Sequence, residues 1–274
     1  MEKVNGILDA GVQDELRRRF NPDGSLLRRH QLRALEILKE VHDLCTRHGI
    51  RYYLCSGTLL GAVRHGGFIP WDDDVDIEMR WTDYLKFLKY AKRELKGKYK
   101  LQTHATDSNY FMTFAKVRDE STFMAEYTGK DRRFKYRGIF IDVFYTERIL
   151  RLFAVITWRL KVWNVSLSSK NPYSVLKPVC TLFYYLNHYV LHMAFRVLNL
   201  PFLPFCHSYL AMGHGFLGKR DNKDIFPLTT ISFEGMEFNC PRDWDSYLRK
   251  IYGDYEKLPD LDKLHIHSVE TIIP

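Results

Sequence analysis

Trp71-Asp72-Asp73-Asp74-Val75-Asp76-Ile77 is the stretch on which the reading of this chain turns. Carboxylates at Asp74 and Asp76 alternate with apolar Val75 and Ile77. In a strand, residues i and i+2 share a face, about 6.5–7 Å apart at Cα. The alternation predicts a strand over Val75 to Met79, with Val75 and Ile77 anchored in a core and Asp74 and Asp76 facing one way. Two carboxylates held together repel each other, and a divalent cation relieves that repulsion. Mg²⁺ suits such an oxygen set, because it keeps waters and substrate phosphates among its ligands. A solvated acidic turn, or the acidic start of a helix, also fits a bare Asp run. The apolar alternation and the surroundings weigh against that blander reading.

Upstream, Ile50 to Cys55 reads as a short buried strand, Ser56-Gly57-Thr58 as a turn, and Leu59 to Arg64 as a short helix ended by Gly66-Gly67. A turn that opens a helix presents backbone N–H groups and a positive dipole end, which favour phosphate. Downstream, a lone Asp142 sits inside Gly138-Ile139-Phe140-Ile141-Asp142-Val143-Phe144. A charge in an apolar strand needs a partner, since burying it unpaired is expensive. A metal shared with Asp74 and Asp76 would serve, and so would an Arg.

The rest of the chain alternates helix and strand. Leu32, Leu35, Leu38, Val41, Leu44 and Cys45 mark one face of a helix over 26–48. A further helix is expected from Trp81-Thr82 to about Leu95, with Thr82 as its N-cap. Strands are expected at Tyr99 to Thr103, Phe111 to Val117 and Gly138 to Tyr145, a hairpin over Ile231 to Phe238 turning near Gly235, and a last helix from Trp244 to Tyr252. At 274 residues the chain is long enough for one core domain with an insertion. There is no internal repeat.

The net charge of +8 is concentrated. Residues 148–220 contain no Asp or Glu but nine Lys or Arg. The remainder is nearly balanced, which argues against a nucleic-acid partner. This block is also apolar: Pro178 to Phe195 has no charged residue. Three readings fit it: a helical subdomain packed on the core, an element lying on an anionic membrane surface, or a membrane span. Cys206, His207 and His214 match no standard zinc spacing and lack a fourth ligand nearby. Five Cys without a CxxC give no disulfide framework. The N-terminal segment has no apolar secretory core. The expected setting is the cytoplasm, with peripheral attachment to the inner face of a membrane as the sharper version.

The whole run Ser56-Gly57-Thr58-Leu59-Leu60-Gly61-Ala62-Val63-Arg64-His65-Gly66-Gly67-Phe68-Ile69-Pro70-Trp71-Asp72-Asp73-Asp74-Val75-Asp76-Ile77 closely resembles the signature of the LicD family. That family includes bacterial phosphocholine transferases and is related to the fukutin-type ribitol-phosphate transferases. Lys116-Val117-Arg118-Asp119, Gly138 to Phe144, Tyr252-Gly253-Asp254-Tyr255 and Leu258-Pro259 resemble it too. The resemblance implies an α/β (α+β) fold: a nucleotidyltransferase-like mixed sheet with flanking helices, interrupted by the helical, basic, apolar insertion. Residues 1–147 and 221–274 would form the core, and residues 148–220 the insertion.

It also implies roles. Asp74 and Asp76 match the metal-binding pair, and Asp142 the third acidic position. Ser56, Gly57 and Thr58 match the turn that holds the donor's phosphates, with Arg64 and Lys116 as further phosphate contacts. Asp72 and Asp73 would shape the turn and its field. The implied activity is Mg²⁺-dependent (or Mn²⁺-dependent) transfer of phosphocholine or a similar phospho-alcohol from a CDP-alcohol such as CDP-choline. The acceptor would be a hydroxyl of a glycan or lipid-linked glycan, and CMP would leave. Three competing readings stand beside it. Asp74-Val75-Asp76 is also the short DxD motif of metal-dependent glycosyltransferases, the same carboxylates would support nucleotidyl transfer, and the fold could serve as a non-catalytic membrane scaffold.

Overall fold

The Ser25 side chain accepts a hydrogen bond from the Arg28 N–H (3.2 Å) and caps a helix. Ala34, Ile37, Leu38, Val41, Leu44 and Cys45 then recur at helical spacing and are fully buried. The computed structural model describes residues 7–126, 129–170, 175–205, 207–210, 220–262 and 268–274. In chain order the elements are α1 (Ala10–Phe20), α2 (Leu26–Arg47), β1 (Tyr52–Leu54), α3 (Ser56–His65), β2 (Asp76–Arg80), α4 (Trp81–Glu94), β3 (Tyr99–Gln102), β4 (Ala115–Asp119), β5 (Phe123–Glu126) and β6 (Ile139–Ile149). They continue with α5 (Arg151–Lys170), α6 (Lys177–Tyr185), α7 (His192–Asn199), β7 (His207–Leu210), α8 (Asn222–Ile225), β8 (Thr229–Phe233), β9 (Met236–Cys240), α9 (Trp244–Tyr252) and β10 (Ser268–Ile272).

The main sheet runs β1-β2-β6-β4-β3, with β7 paired to the later half of β6. β2 and β6 are parallel, and the other pairs are antiparallel. With its flanking helices this is the expected mixed-sheet α/β fold. The two-residue period of β6 sends Ile139, Ile141, Val143 and Tyr145 to one face and Phe140, Asp142 and Phe144 to the other. The apolar face is covered by α2 and α4. The Tyr84 and Tyr145 rings lie 4.7 Å apart, and Arg33 Nε reaches within 3.8 Å of Asp119. The opposite face is polar, and register sets its composition. Gln102, Lys116, Asp142 and Asp76 are direct neighbours across β3, β4, β6 and β2.

α3 follows β1 with no connecting loop and packs close to its own return. A Cβ on Gly61 would stand 2.5 Å from the Gly67 carbonyl oxygen, so only glycine fits there. The β8–β9 hairpin and α9 pack beside α3. β10 pairs with β5 and ties the C-terminal segment to the middle of the chain.

Several local expectations shift. Ser56-Gly57-Thr58 is the first turn of α3 rather than a turn before it. Thr82 lies inside α4, whose N-cap is Arg80. The strand expected over Phe111 to Val117 occupies Ala115–Asp119 instead. Tyr110 and Phe111 are buried in the preceding loop, where Phe111 packs with Val165, Cys180 and Tyr184. Buried loop aromatics imitate a strand in sequence. The 148–220 block carries α5, α6 and α7, and it also supplies the sheet strand β7. α1, β5 and β10 were not anticipated. Among the described residues, Cys45, Cys55, Cys180 and Cys240 are buried free thiols, and no helix is long and apolar enough to cross a membrane. Cys206 and His214 of the zinc question lie outside the described residues.

Candidate functional site

The polar row across the sheet gathers most of the singled-out residues. Asp76 and Asp142 face each other on parallel neighbours, and Lys116 flanks Asp142 from β4. Lys116 Nζ stands 2.8 Å from Asp142 Oδ1 and 3.1 Å from the centroid of the Phe140 ring. The basic side chain beside Asp142 is therefore a lysine, where an arginine was one of the expected partners. Neighbouring Arg118 is fully buried, donating to Gln102 Oε1 (2.5 Å), the Gly138 carbonyl (2.8 Å) and Glu126 Oε1 (3.0 Å).

The backbone beneath these carboxylates is fixed. The Asp76 N–H donates to Thr58 Oγ1 (2.8 Å), and its carbonyl accepts from the Cys55 N–H (3.2 Å). The Asp142 N–H donates to the Val75 carbonyl (2.8 Å). The start of α3 is thus tied to the start of β2. Gly57 completes the approach, since a Cβ there would stand 2.9 Å from Asp72 Oδ2. The Cys55 side chain makes no capping bond to α3, and the approach of Asp72 to Gly57 brings the acidic segment to the positive end of that helix. At the same junction Ser56 has φ +48°, a left-handed conformation that costs an L residue about 1–2 kcal/mol.

Burial alternates along the acidic run. Asp72, Asp74 and Asp76 are half-buried, while Asp73, Val75 and Ile77 are buried. Burial, then the charges of Asp72, Asp73, Asp76 and Asp142, push Asp74 well above the usual carboxylate range. Asp76 is raised by burial, then by Asp142 and Asp72, against the opposing pull of Lys116. Burial also raises Asp142, with Lys116 opposing. Among the described residues, the three carboxylates with oxygens within 4.8 Å of one another are those of Asp72, Asp73 and Asp74; of the sequence-predicted set Asp74, Asp76 and Asp142, only Asp74 belongs to that group. A crowded, oxygen-only, mutually repelling set on a fixed backbone fits a hard divalent cation.

Two features differ from the sequence reading. Arg64 stands apart, in the last turn of α3, about 12 Å along the helix axis from Ser56. Its Nη1 donates to the carbonyls of Tyr255 (2.9 Å) and Lys257 (3.1 Å), and its Nε donates to His65 (3.0 Å). It fastens the segment after α9. Glu78 was missed. It is fully buried two residues beyond Asp76, on the same face, and accepts from Tyr53 Oη (2.9 Å), Tyr247 Oη (3.2 Å) and Arg220 Nη2 (3.0 Å). Burial alone would lower the Arg220 pKa, but Glu78 raises it above its ordinary value. The signal was present: Asp74, Asp76 and Glu78 continue one alternation. Its partners come from β1, α9 and residue 220, which spacing along one strand cannot reveal.

The comparisons agree with this architecture. The family described as LicD/FKTN/FKRP, nucleotidyltransferase domain, matches residues 49–182. The lipopolysaccharide cholinephosphotransferase LicD of Haemophilus influenzae is 28% identical over 262 residues, covering 89% of this chain and 96% of the relative. The human ribitol 5-phosphate transferase FKRP is 53% identical over 53 residues, covering 19% of this chain and 11% of that protein. An uncharacterized protein of Rickettsia typhi is 48% identical over 56 residues, 20% of this chain and 18% of its own length. Over residues 49–182 the chain matches the nucleotidyltransferase domain of the LicD/FKTN/FKRP family, and the Haemophilus relative extends that likeness over 89% of the chain's length.

Proposed function

We propose that this chain transfers a phospho-alcohol, phosphocholine first among them, from a CDP-alcohol to a glycan hydroxyl and releases CMP. The observation that carries this reading is the row Asp76–Asp142–Lys116, next to Asp74 and close to the start of α3, where Thr58 bonds the Asp76 N–H. The near full-length relative bears the name of a lipopolysaccharide cholinephosphotransferase, which motivates the choline headgroup and the glycan acceptor.

Asp74, Asp76 and Asp142 are the proposed ligands of Mg²⁺ or Mn²⁺. Such an ion neutralises the diphosphate and polarises a phosphoryl oxygen. The N–H groups of Ser56, Gly57 and Thr58 are the proposed holders of a donor phosphate, with Lys116 as a further cation. Asp142, a carboxylate whose pKa is raised by burial, is the proposed base. The acceptor oxygen bonds to the distal phosphorus, the phosphoanhydride bond breaks, and its electron pair leaves on CMP. The acceptor proton passes to the base, and the product is a phosphodiester. Positioning and charge compensation account for most of the acceleration. Arg64 has no part in this scheme beyond holding the Tyr255–Lys257 segment.

Ligand-dependent unfolding tests the donor class. CDP-choline, CDP-ribitol, CDP-glycerol, CTP and a UDP-sugar are compared with and without Mg²⁺, on wild type and on Asp74→Asn/Asp76→Asn. A ligand at about 100 times its Kd adds about 2.7 kcal/mol to stability. One CDP-alcohol should stabilise wild type only with Mg²⁺ and leave the variant unmoved. Stabilisation by CTP or the UDP-sugar alone would replace the proposal with nucleotidyl or glycosyl transfer.

A further inference from the structure

The helical rod after residue 177 is built inside out. Its inward positions are Cys180, Tyr184, Asn187, His192, Phe195 and Asn199, spaced 4, 3, 5, 3 and 4 apart. The step of five falls within Leu186–Leu191, which is a π-helical turn. A π turn takes up one extra residue and so keeps one face inward along the whole rod. That inward face contains polar side chains, three of which are tied to the rest of the fold. Asn187 Nδ2 donates to the Thr157 carbonyl (3.2 Å), Asn199 Oδ1 accepts from the Leu150 N–H (3.2 Å), and His192 pairs with Glu147.

The outward face is apolar. Leu182, Tyr185, Tyr189, Val190, Met193 and Val197 are 48–62% exposed. From Lys177 to Asn199 this stripe is about 35 Å long. Trp163 of α5, 48% exposed, adjoins it through an edge contact to Phe183 at 4.8 Å. Soluble helices put such residues inside, and an exposed apolar patch of this extent marks an interaction surface.

Charge selects the occupant. Residues 148–220 have no Asp or Glu and nine Lys or Arg, of which Lys161 and Arg220 are buried and Arg196 is paired with Glu147. Glu147, the acid just before them, is nearly buried beneath His192 and Arg196. Arg148, Arg151 and Arg159 are exposed. An apolar stripe with tyrosines, in a block free of acids and packed against α5 with its exposed Arg151 and Arg159, complements an anionic bilayer surface. Among the described residues no helix is long and apolar enough to cross a membrane.

We propose that the outward face of α6–α7 docks this chain peripherally on anionic lipid, with Leu182, Tyr189, Val190 and Met193 below the headgroups. The inference is independent of the donor reading. It is tested by co-sedimenting the full chain with phosphatidylcholine vesicles, with and without about 30 mol% phosphatidylglycerol. Wild type should bind the anionic vesicles at least about tenfold more strongly than the neutral ones, and lose that preference in high salt. Tyr189→Ser/Val190→Gln/Met193→Gln should lose binding about tenfold while keeping its Tm, since these side chains support no core. Arg151→Glu/Arg159→Glu should weaken binding with the apolar stripe intact, and Trp163 fluorescence should shift to the blue only with vesicles that bind. Wild type remaining in the supernatant, or a triple variant that still binds, overturns the proposal. So does self-association abolished by the triple variant with no vesicle binding, because the face would then pair two copies of the chain.

Discussion

Asp76 sits where fold and chemistry pull in opposite directions. Its backbone is bonded on both sides, and its carboxylate faces Asp142 across the sheet with Asp72 and Asp74 nearby. Without a cation this crowding destabilises the folded state. Asp76→Asn is therefore expected to raise metal-free stability by about 1–2 kcal/mol while abolishing turnover, read from unfolding in chelator alongside an activity assay. Equal loss of stability and activity would make Asp76 structural. Lys116 is the converse case. Lys116→Met leaves Asp142 without its 2.8 Å partner in a buried setting and should cost about 3 kcal/mol. Adding Asp142→Asn should recover most of that loss, and a double-mutant cycle in urea measures it. Simple additivity of the two changes would show that the ion pair carries no coupling.

Elements show how far the sequence could be read. The acidic strand, the short helix ahead of it, the helix over residues 26–47 and the β8–β9 hairpin were legible because each repeats its own period over buried side chains. α1 was not: only Gln13 and Leu16 are buried, so an otherwise polar helix has no stripe to find. β5 and β10 escaped because each is short and exists only as the other's partner, more than 140 residues away. Glu78 and Arg220 were hidden for the same reason, since burial of an ion pair is a property of the assembled fold. α1 and α3 also share a clasp that titrates. Arg64 Nε donates to His65 Nε2 (3.0 Å), which leaves Nδ1–H to donate to Gln13 Oε1 (2.6 Å). Burial, followed by Arg64 and Arg17, lowers His65 from 6.5 to about 3. A folded pKa below the unfolded one means the unfolded chain binds the proton first, so this contribution is complete above about 6.5 and fades as pH falls toward 3. Tm should drop over that window, and His65→Gln should flatten the drop. An unchanged slope in the variant would remove His65 from the account.

For the whole molecule, the sheet divides labour between its faces. Ile77, Val117, Ile141 and Val143 anchor it, while the reverse side concentrates like charge where substrate phosphates and a cation would offset it. Linkage gives this a measurable sign. Asp74, Asp76 and Asp142 have raised pKa values in the folded state, so the metal-free fold loses stability as pH rises from about 4 toward those values. Stabilisation by Mg²⁺ should grow over the same range, and a pH-independent Mg²⁺ effect would place the ion elsewhere. The central claim concerns which phosphorus is attacked. The most direct test incubates the chain with CDP-choline and Mg²⁺ in ¹⁸O-water, so that water stands in for the acceptor, and follows the label by ³¹P NMR. Attack at the distal phosphorus predicts label in phosphocholine, unlabelled CMP, and loss of both products in Asp76→Asn. Label in CMP, or release that survives Asp76→Asn, would contradict it.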